Sequence, residues 1–310
     1  MTRSTLTRPG RVALAVGAAL LAVLIIAIAA AVLLLGRTQQ SDTGSTGVTA
    51  GSTGVTADSI APRTLDDALV FPVDEDDDLL PTDDGDEPDA TALRLWQLFR
   101  DVAGDRTADV YTFSIYHDEA SDLMAAVTRD GEGDDPLRWD AEVNTAYIDD
   151  EDELENTILH EVGHILTLSD DQVPELSGSC PTFDLSEGCP RADSLIAAFQ
   201  EHFWAEYGTD VPSDDGPEGS DPAEVAAFFR EHGGFETFVS EYAATSAAED
   251  VAESWAEYVL TDDDTLDATL PTDEFPTPFA LTPSEAKVVF FEQYPAFVAE
   301  RDRIRAALGY

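Results

Sequence analysis

Thr157-Ile158-Leu159-His160-Glu161-Val162-Gly163-His164-Ile165-Leu166 is the stretch from which the rest of this chain can be read. It places H-E-x-x-H inside an apolar helical pattern. On an α-helix, positions i and i+4 lie about 40° apart around the axis and one turn apart along it. His160 and His164 therefore face one point in space, and Glu161 lies about 100° away, within reach of a water at that point. Zinc suits two neutral imidazoles and one oxygen ligand, with a fourth position left open. A neighbouring carboxylate is the general base of a metallohydrolase. The flanking residues support a helix. Glu151, Asp152 and Glu153 put acid in its first turn, where the helix dipole favours it. Leu154, Ile158, Val162, Ile165 and Leu166 recur at helical spacing. Gly163 costs about 1 kcal/mol inside a helix, which is understandable if something approaches the backbone closely there. The competing reading is a surface helix carrying two unrelated histidines.

The chain has 310 residues, 64 acidic against 16 basic, and a net charge of −48. Lysine occurs once, at Lys287. Such a surface repels phosphate backbones and anionic headgroups, which excludes nucleic-acid binding. The acidity fits a salty habitat, an Asp-rich proteome or a solubility demand outside the cell, and composition does not choose among them. Val12 to Leu35 carries no charge and is bracketed by Arg11 and Arg37. As a helix it reaches about 36 Å, enough to cross a bilayer core of about 30 Å. Its length favours an anchor at 12–36 over a cleaved signal. Arg3, Arg8 and Arg11 keep residues 1–11 in the cytoplasm and place the remainder outside.

Residues 37–88 read as a flexible acidic linker. Ser45–Ala50 repeats as Ser52–Ala57, small and polar. Asp74-Glu75-Asp76-Asp77-Asp78 lacks the EF-hand spacing and reads as a solvated acid run rather than a calcium site. The folded part, 89–310, begins with a helix over Ala92–Val102. Val110–Tyr116 predicts a strand, Val127–Arg129 a second, and Trp139–Ile148 a third, at an edge of the sheet. Helical patterns follow at Ala192–Tyr207, Pro222–His232, Phe235–Tyr242, Ala247–Leu260 and Pro283–Leu308, the last with a kink at Pro295. Asp262–Pro278 reads as an acidic loop. Cys180 and Cys189 predict a disulfide in an exported domain; a catalytic thiol or soft-metal site would want a CxxC or a nearby His. His117 reads as a strand-end residue, and His202 and His232 as structural.

Two histidines need a third protein ligand. Position 170 is Asp170, so no third His follows at metzincin spacing, and a carboxylate on a later helix is required. Glu249 and Glu253, at i and i+4 in Ala248-Glu249-Asp250-Val251-Ala252-Glu253, share a helix face. One can bind metal while the other orients an imidazole. The bland reading is an exposed acidic helix. H-E-x-x-H followed by this A-E-x-x-A-E helix, with Tyr242 seven residues before Glu249, resembles the gluzincin branch of the zincin metallopeptidases. The resemblance is strongest to the zinc peptidases like the anthrax lethal factor catalytic domain. It is tight over the two motifs and loose over roughly residues 90–310.

The resemblance implies an α+β zincin-like fold, mostly helical with a small mixed sheet; the apolar run and the composition put one transmembrane helix and a disordered linker before it. It implies one zinc ion on His160, His164 and Glu249. It also implies Glu161 as general base, Glu253 behind a ligand and Tyr242 as donor to the oxyanion. The long gap between the motifs departs from the compact pattern and leaves Glu249 against Glu253 open. The expected partners are a peptide or protein substrate outside the cell membrane and the lipid bilayer through 12–36. Two other readings stand beside it: a zinc-binding envelope protein without turnover, and a tethered extracellular binding module. No G-x-S-x-G occurs, which argues against a serine hydrolase.

Overall fold

The H-E-x-x-H stretch lies in a long helix, Glu151–Leu168, in a computed structural model that describes residues 68–121, 123–130, 138–174, 180–213, 220–269 and 281–310. All of these belong to the unit Ala57–Tyr310. The expected anchor at 12–36 and the linker up to residue 67 lie outside the described residues. Within the described residues, no helix is long and apolar enough to cross a membrane.

The protein is α+β, with eight α-helices and one mixed four-stranded sheet among the described residues. The strands are β1 (Leu69–Pro72), β2 (Val110–Tyr116), β3 (Ala125–Asp130) and β4 (Arg138–Asn144), in the order β1-β2-β4-β3. β1 runs antiparallel to β2, β2 parallel to β4, and β3 antiparallel to β4. Phe71, Phe113, Ala141 and Val127 stand in register across the sheet and build its core face. Trp96 of α1 (Ala90–Ala103) packs on Phe113 with ring centroids 5.0 Å apart.

Two expectations change here. Residues 68–88 are not linker: Phe71 is fully buried, and an apolar side chain locked into a sheet outweighs the acidic composition around it. The acid run folds as a turn in which Asp74 Oδ1 accepts from the backbone of Asp76 and Asp78, and Asp77 takes a left-handed φ of 60°. Trp96 Nε1 donates to the Asp77 carbonyl at 2.9 Å. The third strand is not an edge either. β4 lies between β2 and β3 and stops at Asn144, whose side chain caps a 3-10 turn over Thr145–Tyr147. Among the described residues the edge strands are β1 and β3.

The helix α2 (Glu151–Leu168) starts on Asp150, whose carboxylate accepts from the Glu153 N–H. Every residue from Ile158 to Leu168 is buried. The helix is thus covered on all sides rather than along one stripe. Arg129 of β3 closes its far end by donating to the carbonyls of Leu168 and Val173 at 2.6 and 2.7 Å. The Ala192–Tyr207 pattern resolves into α3 (Leu195–Phe199), a π turn (Gln200–Trp204) and a 3-10 turn. α4 (Pro222–Glu231) is capped by Asp221 and ends at His232, as its pattern predicts.

Phe235–Tyr242 is not a helix. Gly233 and Gly234, at φ 102° and 60°, break the chain into a short 3-10 turn that leads past the buried Phe238 to Tyr242. α5 (Ala247–Leu260) follows. The expected acidic loop instead contains α6 (Asp263–Thr269), which Asp262 starts by accepting from Thr265 N; residues 270–280 lie outside the described ones. The last stretch is two helices, α7 (Pro283–Val288) and α8 (Pro295–Leu308), because Pro295 opens a new helix where a kink was expected. Arg301 and Arg305 of α8 donate to the carbonyls of Tyr258, Val259 and Thr261 and so satisfy the end of α5.

Candidate metal centre

α2 and α5 cross at Gly163. A Cβ at that position would lie 3.2 Å from Ala252 Cα and 3.1 Å from Trp255 Cδ1, so only glycine admits the neighbouring backbone this close. The crossing brings the histidine face of α2 against the carboxylate face of α5. His160 Nε2 and His164 Nε2 are 3.0 Å apart. Glu249 Oε2 lies 3.1 Å from the first and 3.3 Å from the second. Among the described residues, these three form a group whose ligand atoms converge as they would on a metal ion.

Glu249 and Glu253 take different places around His160, and the fold distinguishes them. Glu253 Oε1 meets His160 Nδ1 at 2.7 Å, on the far side of the ring from Glu249. In the neutral imidazole that contact favours the proton on Nδ1 and turns the Nε2 lone pair towards Glu249 and His164. Ser246 caps α5 by accepting from Glu249 N at 3.2 Å, which holds Glu249 in the first helical turn.

The charges at this point call for a cation. Burial opposes protonation of His160, but hydrogen bonds to Glu249 and Glu253 outweigh it and raise its pKa well above the usual value. His164 is likewise raised against burial by the Glu249 charge. Burial alone would raise Glu249; the charges and hydrogen bonds of His164 and His160 instead hold it far below the carboxylate range. With no cation present, protons on the imidazoles balance the carboxylates. A buried carboxylate oxygen, Glu249 Oε2, facing two ring nitrogens at 3.1 and 3.3 Å makes a donor set suited to a divalent ion.

Glu161 is buried beside this group, and burial raises its carboxyl against the pull of His160 and His164. The backbone of Val127 on β3 pulls the carboxyl down a little in turn. This edge strand therefore runs directly past the candidate base. Tyr242 is 53% exposed as a residue, but its phenol end is buried towards the site and its ring lies 5.7 Å from that of His160. The charge of Glu249, then burial, holds its phenol protonated well above the usual range.

His160, His164 and Glu249 thus converge, with Glu253, Glu161 and Tyr242 beside them. Cys180 and Cys189 form a disulfide in the loop after α2. The other histidines stay outside. His117 is exposed against Thr145, while His202 and His232 line a separate cavity of about 530 Å³ with Tyr207 and Lys287. Sequence reasoning missed the approach of the Val127 backbone and the Arg129 clasp. Neither has a motif, and only β3's position at the edge reveals them. No known family signature, curated protein or solved structure matches the chain.

Proposed function

We propose that the chain is a membrane-anchored, extracytoplasmic zinc-dependent peptidase of the zincin type. The observation that carries this reading is the triangle of His160 Nε2, His164 Nε2 and Glu249 Oε2, with sides of 3.0, 3.1 and 3.3 Å. Zinc bonds of 2.0–2.1 Å in tetrahedral directions separate neighbouring ligand atoms by about 3.3 Å. Two imidazoles and one carboxylate, with a fourth direction open, is the donor set of a catalytic rather than a structural zinc site.

Zinc in this position would acidify a water and polarise a carbonyl oxygen. The chain's own residues supply the remainder. Glu161 accepts the proton of the attacking water as the C–O bond forms and delivers it to the leaving amine as the C–N bond breaks. Burial raises its carboxyl above the ordinary carboxylate value, which makes it a stronger proton acceptor. Tyr242, held protonated, donates to the oxygen on which negative charge develops. β3, an edge strand among the described residues, offers an extended peptide a strand to pair with near Glu161.

The test is metal analysis of wild type, His160→Ala, Glu249→Ala and Glu253→Ala, together with cleavage of a peptide library by wild type and Glu161→Gln. The reading expects about one zinc per wild-type chain. Zinc should be lost in the first two variants and weakened in the third, and Glu161→Gln should keep zinc without cleaving. Full activity in Glu161→Gln would remove the base; zinc retained in Glu249→Ala would remove the third ligand.

A further inference from the structure

The only lysine of the 310-residue chain, Lys287, has a side chain 1% exposed and sits on α7. Its Nζ lies 2.6 Å from Oδ2 of Asp250, a fully buried carboxylate in the first turns of α5. Trp204, at the end of the π turn, donates its Nε1–H to the same oxygen at 2.7 Å. The other oxygen, Oδ1, has no hydrogen-bond partner among the described residues. A buried ion pair with an orphan acceptor is a poor stabilising device, because desolvation and the missing bond offset the attraction. What it does provide is direction, since three separate elements meet at one oxygen.

Asp250 follows Glu249, and consecutive helical residues point about 100° apart. Fixing the Asp250 side of α5 therefore fixes the angle at which Glu249, and Glu253 one turn on, face α2. A rotation of about 10° moves an atom some 6 Å from the helix axis by about 1 Å. Metal–ligand distances tolerate only about 0.2 Å. Apolar residues of similar volume would fill the same space without holding the rotation.

We infer that the Lys287–Asp250–Trp204 cluster is the positioning device that sets the rotation of α5 and so aims Glu249 and Glu253 at the two imidazoles. This rests on the zinc reading above. The experiment measures zinc affinity of the full-length chain by competition with a chromogenic chelator, and thermal melting of the metal-free protein. The arms are wild type, Lys287→Met, Trp204→Phe and the double variant Asp250→Leu/Lys287→Met. Loss of a supporting partner weakens metal binding about 10- to 100-fold, and this is expected in every variant. The double variant, freed of the ion pair, should melt close to wild type yet stay weakened for zinc, which a merely structural pair would not do. A double variant that matches wild type in both readouts overturns the inference. If Lys287→Met does not fold, the double variant and Trp204→Phe decide. Wild type that binds no zinc overturns the metal reading itself, and this inference with it.

Discussion

Replacing Gly163 by alanine presses on the crossing that assembles the site. In an isolated helix the change would help, since alanine is about 1 kcal/mol better than glycine. In this fold the new Cβ would stand 3.1 Å from Trp255 Cδ1, 3.2 Å from Ala252 Cα and 3.4 Å from Ala252 Cβ. Carbon–carbon contacts are comfortable at about 3.5–4.0 Å, so α5 must retreat by roughly 0.5 Å at this level. Ala252 lies between Glu249 and Glu253 on α5, and the retreat carries both carboxylates away from the imidazoles. That displacement exceeds the ~0.2 Å tolerance of a metal bond, so zinc affinity should fall by about tenfold or more. Overpacking costs about 1–3 kcal/mol. Less the helix gain, this leaves a net loss of about 0–2 kcal/mol, or roughly 0–8 °C in melting temperature for a domain of this size. Chelator competition gives the affinity, and melting with and without zinc gives the stability. An alanine variant that melts at or above wild type and binds zinc equally well would refute the reasoning, because the close approach would then not govern the ligand geometry.

Three further outcomes follow from the site and the loop after α2. Tyr242→Phe should lower kcat by about 10²–10³-fold with zinc affinity unchanged, as expected for a lost oxyanion donor; an unchanged kcat would remove Tyr242 from the chemistry. Metal-free protein should lose stability as pH rises. His160 and His164 are raised above their unfolded value of 6.5, so their contribution is complete below that pH and disappears as pH climbs through the folded values. Glu161, raised by burial, acts in the same direction. Glu249 is lowered, so its contribution is present above 4.5 and is lost as pH falls through its folded value. Melts at several pH values should therefore decline from about pH 6 towards pH 9. Saturating zinc, which competes with those protons, should remove the decline. A metal-free protein equally stable at pH 6 and pH 9 would contradict this assignment. Finally, Cys180→Ser/Cys189→Ser opens a loop of about ten residues and should cost about 2–3 kcal/mol on the chain-entropy account, seen as a melting shift of roughly 5–10 °C. No shift would mean that the loop adds nothing to the stability of the domain.

The sequence alone determined what depends on neighbours along the chain. Helical periodicity puts His160, Glu161 and His164 on adjoining faces of one helix, the acid after Asp150 starts that helix, and nine positions of turn-rich chain let Cys180 reach Cys189. Glycine at 163 was legible as a close approach, although not as an approach by Ala252. Local signals failed where the outcome belongs to packing. Composition assigned residues 68–88 to a linker because the burial of Phe71 is decided by Phe113, far along the chain. Alternation identified β4 but not its neighbours, so the edge beside Glu161 was assigned to the wrong strand. Glu249 and Glu253 are equivalent by spacing. Only the crossing of α2 and α5 sends one carboxylate to the Nε2 side of His160 and the other to the Nδ1 side, because the two helices touch through contacts that no sequence period encodes.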